Sequence, residues 1–113
     1  MTQPLVVGPS VDPDTGRDLA RLRLPFGNRH IDGATAWEMI ELYNAATRDV
    51  AREAGLALID LAAAMPKRLD HYLDLMHFSD CGSLAVAELV AKALCTIIED
   101  RKATRPDTPC ARP

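Results

Sequence analysis

Two apolar runs frame the chain. Leu5-Val6-Val7 is bounded by Pro4 and by Gly8-Pro9, and Leu56 to Leu61 lies past the midpoint with Asp60 as its one charge. Neither run alternates with polar residues, which is the pattern of a strand buried on both faces. Between them, Thr35-Ala36-Trp37-Glu38 has the form of a capping box. Apolar or small residues follow at Trp37, Ile40, Tyr43, Thr47, Val50 and Ala54, a spacing that predicts an amphipathic helix ended by Gly55. Its polar face, with Glu41, Arg48, Asp49, Arg52 and Glu53, reads as a solvated surface, and Trp37 as a core anchor.

Pro9 to Gly16 is turn chemistry exposed to solvent. The stretch 17–32 has mixed periodicity at Leu19, Leu22 and Leu24, interrupted by Pro25 and Gly27. Residues 62–72, holding Pro66, read as a loop or short helical stretch. Ser79 and Asp80 suit a helix N-cap, and a last helix is expected from about Ser83 to Asp100, with Val86, Val90, Ala93, Leu94 and Ile97 on one face. The proline-bearing segment 101–113 reads as a flexible tail.

Parallel strands alternating with helices predict an α/β fold, here a partial three-layer α/β/α arrangement over residues 1–100. Two parallel strands make a poor sheet by themselves, so the expectation is either self-association into a homo-oligomer that pairs exposed edges, or marginal stability with the apolar faces partly uncovered. At 113 residues the chain suits one domain, and its 48% apolar content excludes a disordered chain. A net charge of −3 with scattered Lys and Arg argues against a nucleic-acid surface. The start has neither a basic region nor a long apolar stretch, and no window reads as apolar enough for a membrane span, so a soluble, cytoplasmic protein is expected. Cys81, Cys95 and Cys110 share no metal-binding spacing and read as free thiols.

The chemistry concentrates in Leu73-Asp74-Leu75-Met76-His77-Phe78-Ser79-Asp80-Cys81-Gly82. Asp74 precedes His77 by three residues, and a carboxylate there can fix one ring nitrogen and leave the other free to take a proton. With Tyr43-Asn44 in a helix, Gly55 through Leu61 as a strand, and Ala87-Glu88-Leu89-Val90 in the last helix, this segment resembles the C-terminal end of the SGNH/GDSL serine esterases and lipases, whose last block is Asp-x-x-His. The resemblance covers about residues 37 to 99. It implies a truncated SGNH/flavodoxin-like α/β domain, with Asp74 and His77 as the catalytic orienter and base, acting on a small ester substrate without cofactor or metal. The family's Gly-Asp-Ser nucleophile block and its oxyanion-hole blocks are missing here. The resemblance therefore implies a segment inactive alone and completed by a serine-bearing half. The alternative is a non-catalytic binding or oligomerising module.

Other readings stay open. Asp70, His71, Asp74 and His77 could form a zinc or manganese cluster. Asp60 is either a strand-end residue bonding loop backbone or a site residue at the sheet edge. His30 could line a groove, and Ser10, Ser79 and Ser83 are the serines to weigh as a local nucleophile.

Overall fold

The first apolar run lies at the centre of the molecule, but not in a sheet. The computed structural model describes residues 1–104. In it Leu5, Val6 and Val7 are almost wholly inaccessible and pack with Leu24, Ala36, Met65 and Tyr72. A buried run must still satisfy its N–H and C=O groups. The second run gives it one backbone bond, from the Thr2 N–H to the Ile59 carbonyl (3.2 Å). Side chains supply most of the rest. Asn44 takes both backbone groups of Gln3, accepting its N–H at 2.8 Å and donating to its carbonyl at 2.9 Å. The Lys67 ammonium donates to the Leu5 and Val7 carbonyls at 2.9 and 2.8 Å. The Val6 N–H reaches the Leu75 carbonyl (3.1 Å).

These bonds correct the expected architecture. No parallel strands and no three-layer α/β/α sheet occur among the described residues, so the fold is not flavodoxin-like. The first run lacks a ladder because side chains and crossing backbone occupy its polar groups, and the second meets it only where the Ile59 carbonyl takes the Thr2 N–H. The two strands that do form are β1 (Arg23–Phe26) and β2 (Arg29–Asp32), an antiparallel hairpin pairing Phe26 with Arg29. They lie in the stretch where the periodicity was mixed. Gly27, at φ 58°, takes the first central position of the two-residue turn, where the strand twist calls for a positive φ.

Helix α1 (Gly33–Glu53) begins before the predicted capping box, because Asp32 accepts the Thr35 N–H (2.8 Å). Its first turn rests on the preceding 3-10 turn, Leu19–Arg21, so closely that a Cβ on Gly33 would meet the Leu19 carbonyl oxygen. It ends as expected. Gly55 at φ 63° lets the Leu56 N–H reach the Ala51 carbonyl (2.8 Å) and its own N–H the Arg52 carbonyl (3.3 Å).

The helix is rotated from its predicted facing. Ala36, Asn44 and Ala51 point inward, while Tyr43 and Val50, assigned to the apolar face, are exposed. Arg48 is not on a solvated surface. It pairs with Asp60 (Nε to Oδ2, 2.7 Å) and with Glu41 (3.0 Å), and Glu41 also accepts from Asn44 (2.8 Å). The polar demand of the buried N-terminal run selects which face turns in. Asp12 was likewise expected in solvent and is buried instead, accepting from the Thr15 N–H and hydroxyl and from the Leu69 N–H (2.9 Å). Those donors hold its pKa below the usual carboxylate range.

Trp37 packs against the core with Lys67 3.5 Å above its ring, and burial lowers the Lys67 pKa to about 8. Asp60 caps the short helix α2 (Leu61–Ala64), bonding loop backbone as one of its two readings held.

Helix α3 (Asp80–Thr104) is longer at both ends than predicted, and it includes four residues assigned to the tail. The remainder of that predicted tail, with Cys110, lies outside the described residues. Cys81 and Cys95 are exposed free thiols. Contrary to the sequence reading, Asp80–Ala103 is long and apolar enough, by length and composition only, to cross a membrane.

Replacing Asn44 with Ala strands both backbone groups of Gln3 and costs on the order of 2 kcal/mol, a fall of roughly 10 °C in Tm. Leu42, two residues earlier on α1 and 74% exposed, serves as the control: Leu42→Ala changes stability by less than about 0.5 kcal/mol. Thermal unfolding followed by circular dichroism measures both.

Candidate functional site

The loop between α2 and α3 is closed at its base by an antiparallel bridge between Tyr72 and Phe78, whose rings sit 5.3 Å apart. The Leu73 N–H donates to the His77 carbonyl (2.8 Å) and fixes the loop's width. Inside it, Asp74 folds back on the chain. Its Oδ1 accepts the Met76 and His77 N–H groups, both at 2.9 Å. Its Oδ2 meets His77 Nδ1 at 2.6 Å. One carboxylate therefore shapes the turn and orients the imidazole.

The electrostatics follow from those donors. The His77 N–H, then the Met76 N–H, then the His77 ring hold the Asp74 pKa down to about 2. With Nδ1 engaged by a carboxylate, the neutral imidazole keeps its proton there and presents Nε2 as the basic nitrogen. Both side chains are open to solvent, at 55% exposure for Asp74 and 72% for His77.

A second imidazole–carboxylate pair lies beside the first. His71 Nδ1 meets Asp70 Oδ1 at 2.7 Å, and Arg68 bonds Asp70 at 3.0 and 3.1 Å while also pairing with Asp14 (2.6 Å). Arg68 and then His71 hold the Asp70 carboxyl well below its ordinary pKa. The His71 side chain is only 15% exposed, so this pair is tied into the scaffold.

Comparisons with protein-family models, with curated proteins and with solved structures return no match. The site is therefore described by its own geometry.

That geometry separates the residues considered as one metal cluster. Among the described residues no three His, Cys, Asp or Glu side chains are grouped to hold a metal ion. Each imidazole instead has its own neighbouring carboxylate. The candidate serines do not join the site either. Ser79 caps α3, its hydroxyl donating to the Asp70 carbonyl (2.6 Å) and accepting the Gly82 N–H (3.1 Å). No hydrogen bond among the described residues links His77 to Ser10, Ser79 or Ser83. His30 is exposed on β2, opposite Pro25. Asp60 is occupied by Arg48 and Thr2, which with Ala63 draw its pKa to about 2.

Lys67 escaped the sequence reading, since it carries no local motif and its acceptors lie about sixty positions earlier. Gly82 belongs to the resembled stretch, but its packing role was not read from it. The first turn of α3 crosses the 3-10 turn Leu69–His71 so closely that a Cβ there would meet the His71 carbonyl.

A depressed folded-state pKa means that Asp74 contributes stability above the unfolded value, near 3.9, and loses it as pH falls toward 2. Carbon-detected NMR should place the Asp74 carboxyl midpoint near 2. A midpoint at the ordinary aspartate value would show that the turn does not hold in solution.

Proposed function

We propose that this chain supplies the histidine–aspartate general base of a serine-dependent ester hydrolase, with the nucleophile carried on another polypeptide segment. The supporting observation is the Asp74–His77 pair, held at 2.6 Å with the imidazole open to solvent. Its Asp-x-x-His spacing matches the last block of the SGNH/GDSL enzymes, although the strand that the resemblance implied at Leu56 to Leu61 does not form. In that reaction His77 Nε2 takes the serine proton as the oxygen attacks the ester carbonyl, then returns it to the departing alcohol. Asp74 keeps Nδ1 protonated and offsets the charge of the imidazolium. In complete triads, loss of such an orienting carboxylate costs about four orders of magnitude in kcat.

Without its serine, the pair acts on activated esters only as a slow general base. Hydrolysis of p-nitrophenyl acetate by the purified chain should fall to the buffer rate in His77→Ala and to an intermediate rate in Asp74→Asn. His71→Ala, which removes the neighbouring pair, should leave the rate unchanged. Equal rates for wild type and His77→Ala would reject the assignment of His77 as base. Labelling of a serine in this chain by a fluorophosphonate probe would reject a nucleophile supplied from elsewhere.

A further inference from the structure

The Asp74–His77 loop divides its apolar side chains between core and solvent. Leu75 turns inward, where it packs against the core while its carbonyl takes the Val6 N–H (3.1 Å). Leu73 and Met76 turn outward, at 77% and 46% exposure. They share the solvent side of the loop with Asp74 and His77, so two large apolar groups flank the carboxylate–imidazole pair. Backbone bonds fix them there: the Leu73 N–H is held by the His77 carbonyl (2.8 Å) and the Met76 N–H by Asp74 (2.9 Å). Single exposed apolar residues are ordinary on a protein surface. These two are not scattered, because Met76 adjoins His77 in the chain and Leu73 is its hydrogen-bonded neighbour across the loop.

We propose that Leu73 and Met76 form the acyl-chain contact of this site, so that its substrates are esters of uncharged, unbranched aliphatic acids. The inference rests on His77 being the general base. A nucleophile within hydrogen-bond reach of Nε2 attacks a carbonyl whose acyl chain then leaves the reacting centre over the residues beside His77. Successive Cα atoms are about 3.8 Å apart, so an acyl chain of about six carbons reaches both neighbours. Methionine suits such a chain because its flexible, unbranched thioether adapts to it. Charge disfavours an anionic acyl group. No Lys or Arg occurs between Tyr72 and Ser83, Asp74 and Asp80 are acidic, and the nearest preceding arginine, Arg68, is engaged with Asp70 and Asp14.

The test gives the purified chain p-nitrophenyl acetate, butyrate and hexanoate, with each rate divided by that of free imidazole on the same ester. Water adds to the carbonyl as His77 Nε2 takes its proton, and p-nitrophenolate departs to leave the carboxylic acid. A methylene wholly removed from water is worth about fourfold and one half covered about twofold, so the ratio should rise roughly tenfold from acetate to hexanoate. Leu73→Ser and Met76→Ser should flatten that rise while keeping the circular dichroism of the wild type. Met76→Leu should retain it, and so should Leu94→Ser, which alters an exposed leucine on α3. A ratio independent of chain length, with hydrolysis still abolished in His77→Ala, would overturn the acyl contact and leave the base assignment standing. A rise that survives both serine variants would also overturn it, since the chain would then lie elsewhere. Equal rates for wild type and His77→Ala on every ester would remove the base, and this contact with it.

Discussion

The structure depends on how one buried segment satisfies its backbone. Residues 2–8 run through the core without a ladder on either side, so every other element is placed by what it offers them. Asn44 acts as a strand edge would, giving an acceptor and a donor to one residue. Lys67 brings an ammonium to two carbonyls and lies on the Trp37 ring, which replaces part of the water it gives up. A buried amide left without a partner costs about as much as a lost core side chain, which explains why polar residues of α1 turn inward while Tyr43 and Val50 face solvent.

That arrangement carries the candidate site. Val6 holds Leu75 by a backbone bond, so the middle of the Asp74–His77 loop is anchored on the buried segment. The Tyr72–Phe78 bridge closes the loop, and Ser79 with Gly82 passes the chain into α3. The Asp74–His77 pair stands on this frame with both side chains open to solvent, as the proposed delivery of a nucleophile from another segment requires. His71, fixed by Asp70 and Arg68, is bound into the frame and offers much less surface.

Local signals in the sequence determined what short-range chemistry can determine. The Gly55 helix end, the Ser79 cap and the Asp74–His77 contact all join residues at most five positions apart, so residue type and spacing suffice. The hairpin was missed because Pro25 and Gly27 break the periodicity that would mark a strand, although Gly27 is the residue its turn requires. Tertiary structure alone decided that Leu5-Val6-Val7 and Leu56 to Asp60 do not share a sheet, that α1 turns Asn44 and Arg48 inward, and that Asp12 is buried beneath Leu69. Each joins partners far apart in the chain, or decides which of two faces is covered. An apolar run states that it will be buried. Which groups then satisfy its backbone depends on distant segments, and no local pattern records them.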